Sequence, residues 1–345
     1  MKKFWHVIFL MIIITFTNCK KQEEIIPEDN PRNLYKGVLV SNEGNFNWGN
    51  ASLSVIEPEK KKIYNYVYKQ KNNKMLGDIL QSIYVFDEDA FLVVNNSAKI
   101  VRISLKDFKE KNVYSTFTSP RYMYIYNRIA FVSDLYSNRI YVFDIESKPI
   151  DWQNIAVNGW TEEMDAIENK LYIAGVTANK LYVVDMENKI LIDSITTSNA
   201  PFSVKADKYG YIWVYCGDYQ SENYVLEKID PNTKEIVTRI TLSANENTFA
   251  TKMAINKEKT DIWFIHNGIK HVSVTDTTYD VFATSDKFQT PYGIGIDNEG
   301  RIYVADAKNF TSEGDIIIFN PDGSVYSELK AGIIPGYFAF YNLYE

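Results

Sequence analysis

The side chains of this chain that could act on another molecule recur beside short apolar runs. Downstream of such runs stand Asn42, Glu43, Phe46 and Trp48, then Asn95, Asp134 with Tyr136, and Thr177. Further along come Asp218 with Tyr219, His266 with Asn267, and Asp306, Lys308 and Phe310. Ahead of other runs stand Gln81, Arg121, Tyr122, Trp160, Glu162, Phe202, Lys252, Tyr292 and Tyr337. Rigid aromatics with polar tips, mixed with amides and acids, bury contact area at low entropy cost, which suits a binding surface. Some of these rings are expected simply to pack their loops.

Catalytic patterns are sparse. The only histidines are His6, His266 and His271. No HExxH, GxSxG or CxxC spacing occurs. His266 and His271 are five apart, a spacing that fits no common zinc site, so both read as surface histidines. Glu162, Asp134, Asp218 and Asp306 could imitate the central carboxylates of a metal-dependent hydrolase, a less favoured alternative. Asp297-Asn298-Glu299-Gly300 starts like a calcium loop but lacks the later acidic ligand, and reads as a turn. The expectation is a protein with no catalytic residue, no metal and no cofactor.

The elements that must position these residues repeat. A strand signal occurs at Val38–Val40, Ala90–Val93, Ile129–Val132, Leu171–Ile173, Ile212–Val214, Ile262–Phe264 and Ile302–Val304. A second strand follows each after a polar loop. A third follows several of them: Ile63–Tyr68, Ile190–Thr196, Ile236–Thr241 and Ser324–Leu329. No segment sustains a 3.6-residue apolar period, so helices are expected to be few. Short strands at intervals near forty residues, four to a unit, are the mark of a β-propeller. A pair of β-sandwiches would not need that period. Units begin near Leu80, Pro120, Glu162, Pro201, Ala250 and Pro291. The segment 35–68 lacks an innermost strand, and Pro335–Tyr341 is a strand alone. Together they make a seventh unit. The expected fold is an all-β, seven-bladed propeller of four-stranded antiparallel blades, closed by pairing the C-terminal strand with the N-terminal blade. In such a blade the entry to the innermost strand and the loop between the second and third strands share one face. The residues named above therefore gather on one platform.

The first eighteen residues combine Lys2-Lys3 with an apolar run from Phe4 to Phe16, an export signal too short to span a bilayer comfortably. Cys19 follows directly and reads as an acylated N-terminus, with an uncleaved anchor as the alternative. Residues 19–34 read as a lipidated tether, with Lys20-Lys21-Gln22-Glu23-Glu24 solvated and Pro27 and Pro31 in a linker. Residues 35–345 form the single propeller. Cys216 reads as a small buried hydrophobe rather than a reactive thiol. The net charge is −7, and without Lys2 and Lys3 there remain 35 basic against 44 acidic residues, or −9. Such a chain cannot displace phosphate counterions broadly, which excludes nucleic acid and leaves the lipid on Cys19 as its membrane contact.

Three stretches carry a resemblance: Val38-Leu39-Val40-Ser41-Asn42-Glu43-Gly44-Asn45-Phe46, Asn50-Ala51-Ser52-Leu53-Ser54-Val55 and Leu76-Gly77-Asp78-Ile79-Leu80-Gln81-Ser82. With the entries Pro201-Phe202 and Pro291-Tyr292, the chain resembles Bacteroidetes propeller lipoproteins, YncE-like with a DUF5074-type repeat. The resemblance implies a surface lipoprotein of the outer membrane, of the kind (the BtuG type) that captures vitamin B12 and passes it to a TonB-dependent transporter. Cobalamin would then be a bound ligand and not a cofactor. Related propellers bind iron–siderophore complexes, so siderophore or haem-type capture is the alternative. For an anionic iron complex, Arg121, Lys252 and Lys308 should cluster. The acidic stretch after Cys19 resembles the tag that sends lipoproteins to the cell exterior.

Overall fold

A computed structural model describes residues 36–147, 150–217, 223–242 and 250–343. The leader, Cys19, the tether, Asp218 and Tyr219 lie outside the described residues.

Seven four-stranded antiparallel sheets account for nearly all of the regular structure. Their innermost strands are Leu80–Phe86, Pro120–Tyr126, Thr161–Ile167, Pro201–Ala206, Met253–Ile255, Pro291–Ile296 and Pro335–Asn342. Each contacts the next, and the last contacts the first, so the inner strands form a closed ring around an axis. We number the blades one to seven in that order. Blade seven joins the two ends of the chain. Its inner strand, Pro335–Asn342, pairs antiparallel with Lys36–Asn42, from Lys36 opposite Asn342 to Ser41 opposite Tyr337. That pairing removes the open edge that any uncovered sheet presents to other chains.

The blades are held face to face by apolar layers, because strand side chains alternate between the two sheet faces. In blade one, Ala90, Leu92 and Val94 pack toward blade seven, while Phe91 and Val93 pack toward blade two. The same division repeats around the ring, with one apolar cluster in each of the seven gaps. Trp213, Tyr215, Phe264 and Tyr303 are among the fully buried side chains that fill them. A strand buried on both faces reads as a continuous apolar run, which is why the second strands were the clearest signal in the sequence.

Two expectations are corrected in detail. The outermost strand of blade seven, expected over Ile63–Tyr68, stops at Tyr64, and Val67 and Tyr68 belong to a short helix, Val67–Asn72, entered through Tyr66 in the left-handed region at φ 58°. The turn drives Val67 and Tyr68 into the gap against blade one. Blades one, two and five gain outer strands the pattern had not marked: Glu110–Tyr114, Gln153–Ala156 and Asp280–Ala283.

Candidate binding platform and channel mouth

Each inner strand enters from the same face, and six of the seven carry a register shift at their second residue. The shifts fall between Leu80 and Ser82, Pro120 and Met123, Thr161 and Met164, Pro201 and Ser203, Pro291 and Gly293, and Pro335 and Tyr337. A bulge frees one residue from the ladder and re-aims its side chain. The second residues left out of the ladder are Gln81, Arg121, Glu162, Phe202, Tyr292 and Gly336, with Tyr122 and Glu163 left out beside theirs in blades two and three. In blade five, Lys252 stands at the equivalent place, one residue ahead of the strand, with its carbonyl accepting the Ile265 N–H at 3.0 Å. Six side chains and one glycine thus encircle the mouth of the channel.

The mouth holds two charged groupings. Glu162 accepts from Arg121 Nε at 2.5 Å and from the Trp160 indole N–H, while an Arg121 Nη donates to Gln81 Oε1. Across the ring, the Tyr292 hydroxyl donates to Glu43 Oε2 at 3.3 Å. Lys252 Nζ donates to the Gly336 carbonyl at 2.9 Å and lies 4.5 Å over the Tyr292 ring. Burial raises the Glu43 carboxyl above its ordinary range, opposed by the nearby Lys252 and Arg121. Burial lowers the Lys252 ammonium, against the pull of Glu43. For Arg121 burial acts downward too, but Glu162 overrides it and keeps the guanidinium charged. Two acids and two bases leave the mouth close to neutral.

Beneath it, Glu163 accepts from the Ser203 hydroxyl, from the Val204 N–H at 3.0 Å and from Lys205 Nζ at 2.5 Å. Burial would lower the Lys205 ammonium, but Glu163 raises it to about 12. Tyr122 and Tyr337 meet edge to face at 5.9 Å between ring centres, and burial lifts the Tyr337 hydroxyl to about 12. Sequence reasoning missed Glu163, Lys205 and Gly336. The signal for Glu163 was its place directly after Glu162 at a blade entry.

The residues expected on the platform separate into three groups. Gln81, Arg121, Glu162, Tyr292, Phe202 and Glu43 converge at the mouth, with Trp160 edge-on to Phe202 at 5.2 Å and Phe310 edge-on to Tyr292 at 5.5 Å. Phe46, Trp48 and Tyr136 stand out into solvent at 65%, 77% and 76% exposure.

The third group is turned inward. Asp134 is fully buried, and its carboxylate accepts the N–H groups of Thr118, Ser119, Tyr136 and Ser137. Asp306 is also fully buried, accepting from the N–H groups of Gln289, Thr290 and Lys308 and from Lys308 Nζ at 3.1 Å. Asn42 donates to Ser54 Oγ at 2.8 Å and accepts the Gly332 N–H. Asn95 donates to Ser119 Oγ and the Pro120 carbonyl, tying blade one to blade two. These four side chains pin loops in place. His266 is not at the surface. It is buried with Nδ1 3.1 Å from the Tyr215 hydroxyl and its ring 5.4 Å from Tyr224. Asn267 turns the adjoining hairpin in the left-handed region at φ 46°, and its carbonyl accepts Lys270 Nζ at 3.2 Å. Cys216 is buried, and burial pushes its thiol well up, away from the reactive thiolate. Among the described residues, no three His, Cys, Asp or Glu side chains converge as metal ligands.

The family model described as "Domain of unknown function (DUF5074)" matches residues 36–301. The chain belongs to the DUF5074 family. No curated protein matches it in sequence. Solved structures similar to this DUF5074 chain include a quinonprotein alcohol dehydrogenase-like protein from Bacteroides thetaiotaomicron, with TM-score 0.69 and 13% identity, covering 89% of this chain and 78% of that one. A putative 6-phosphogluconolactonase from Bacteroides fragilis gives TM-score 0.65 at 11% identity, covering 91% and 99%. Hydrazine synthase from Kuenenia stuttgartiensis gives 0.59 at 15%, covering 70% and 76%. At such identities the likeness is one of fold.

Proposed function

We propose that this propeller captures a large, near-neutral ligand of corrinoid type, with cobalamin the leading candidate, on its entry face. In this reading it is a YncE-like, BtuG-type lipoprotein, held at the outer membrane through the Cys19 lipid and facing the cell exterior. It passes its ligand to a TonB-dependent transporter and is not an enzyme. The observation that carries the proposal is the combination on one face of a preformed, charge-balanced mouth with exposed aromatics on the surrounding loops. The mouth offers donors and acceptors of both signs. Phe46, Trp48 and Tyr136 offer apolar area that the fold does not use. Rings held on a rigid scaffold avoid the cost of ordering loops on binding.

Capture of an anionic siderophore complex is less well supported. Arg121 spends its donors on Glu162 and Gln81, Lys252 donates to Gly336, and Lys308 lies between Asp306 and Asp315. The three cations such a ligand would need are each already engaged. A metal-dependent hydrolase is less well supported too, because Glu162 faces Arg121 while Asp134 and Asp306 are consumed by backbone N–H groups.

Calorimetric titration of the exported protein with cyanocobalamin, beside a ferric catecholate complex, tests the reading. Saturable heat with cyanocobalamin alone is the expected result. Heat with the iron complex alone would transfer the proposal to siderophore capture, and heat with neither would end the capture of both ligand types.

A further inference from the structure

The two most exposed neighbouring rings of the entry face stand on a loop that is tied down on both sides. Residues 43–51 join Lys36–Asn42 to Ser52–Glu57 in blade seven, and the tip carries Phe46 and Trp48. Toward blade six, Asn45 Nδ2 donates to the Phe310 carbonyl at 2.8 Å. Within the loop, the Asn45 N–H donates to Asn50 Oδ1 at 2.8 Å and the Trp48 N–H to the Asn45 carbonyl at 3.0 Å. Toward blade one, the tie is Asp78. Its Oδ2 accepts the Asn47 N–H at 2.7 Å and Asn96 Nδ2 at 2.6 Å. The same Asn96 nitrogen donates to Asn47 Oδ1 at 2.9 Å, so Asn96 bridges the acid and the loop.

Asp78 is itself fixed. It is 8% exposed, its N–H donates to Ser97 Oγ at 2.9 Å, and the Gly77 carbonyl before it accepts the Ala51 N–H at 3.1 Å. The peptide N–H that it holds joins Phe46 to Asn47, and Asn47 sits in the left-handed region at φ 67°, which asparagine tolerates. Hydrogen bonds to an ionised acceptor are stronger than those between neutral groups. That strength has a cost, because Asp78 Oδ1 is buried with no hydrogen-bond partner. None of these bonds buries either ring. A loop that merely connected two strands would gain nothing from holding exposed aromatics in one pose, whereas a binding loop gains by having no motion left to lose.

We infer that Asp78 is a positioning residue of the platform: it touches no ligand, and it holds the tip of the 43–51 loop so that Phe46 and Trp48 meet the ligand already in place. The inference rests on reading this face as a capture site. Asn96 is its second point of hold, and the Phe310 carbonyl is the counterpart on the blade-six side.

Hydrogen exchange followed by mass spectrometry on the unliganded protein reads the tie directly. Asp78→Ala should speed exchange across residues 45–49 about tenfold or more, with the other blades and the melting temperature unchanged. Asp78→Asn, whose amide oxygen accepts the same two donors, should restore slow exchange. Should Asp78→Ala fail to fold, Asn96→Ala, which removes the bridge and leaves the acid, takes its place with a smaller acceleration. Cyanocobalamin titration then separates positioning from a merely structural role. Asp78→Ala should weaken binding about tenfold, and Asp78→Asn should regain it. Added to a protein that already carries Phe46→Ala and Trp48→Ala, Asp78→Ala should bring no further loss, because no ring remains to be held. Unchanged exchange in Asp78→Ala, or a further loss in that triple variant, would overturn the inference. Equal heat in wild type and Asp78→Ala would keep capture and remove Asp78 from it. No heat in the wild type would remove corrinoid capture, and with it the part of Asp78 in recognition, whatever the exchange shows.

Discussion

A carboxylate that follows a strand can face water, a base or its own backbone, and the surroundings decide which. Asp315 lies between Lys308 at 2.8 Å and Lys330. Burial would raise its carboxyl, but the two lysines hold it below the ordinary 3.8. A carboxyl lowered in the folded state adds stability above its unfolded pKa and loses it as pH falls through the folded value. Asp315→Asn should therefore cost about 1 kcal/mol at neutral pH, a cost that shrinks as pH falls below the ordinary carboxyl range, when urea unfolding of variant and wild type is compared. Trp48 makes the opposite case, because its ring is spent on no part of the fold. Trp48→Ala should weaken ligand binding about tenfold or more with an unchanged melting temperature, read by titration and thermal unfolding side by side. Gln81, Arg121, Glu162 and Tyr292 were legible because each stands at a blade entry, where the chain must face the channel, and Glu43 because it directly follows the strand Lys36–Asn42 on the same face. Asp134, Asp306 and His266 were misread as platform groups because spacing places a residue on a loop without fixing its rotamer. Gly336 gave no signal, since a glycine offers no side chain to read and its close packing against Glu43 and Tyr292 appears only in the fold.

Blade entries are built as units of a pinning side chain, a turn and a bulge. Asp134 gathers four N–H groups, two from the loop entering blade two and two from its own loop, and so fixes the approach to Arg121. Asp134→Ala leaves those donors unmet in a buried place. It should destabilise by about 1–3 kcal/mol in urea unfolding and weaken ligand binding through displacement of Arg121. Second and third strands were legible because both faces are buried. The outer strand Gln153–Ala156 was not, since only Ile155 is buried and a single inward residue makes no period. The helix Val67–Asn72 escaped for a related reason. Ile63 to Tyr68 alternates like a strand, and only the left-handed turn at Tyr66 separates the two halves.

Across the molecule, stability is shared among seven gaps that each need both neighbours, so the ring behaves as one unit. Removing the strand Pro335–Asn342 by a stop codon after Ile334 would strip blade seven of its inner strand and uncover Leu39, Val40 and the edge of Lys36–Asn42. Such a truncation should lose the cooperative melt seen by circular dichroism and elute as aggregate in size-exclusion chromatography. The fold class was legible at this scale because the forty-residue interval is written into the chain.

The inner strand of blade seven is the last of the described strands to be synthesised, and its partner, Lys36–Asn42, is the earliest of them. Six blades can be synthesised in full while the circle still stands open. Closure of the native ring therefore waits for the strand Pro335–Asn342, and a polypeptide ended before it carries an unpaired early strand open to proteolysis.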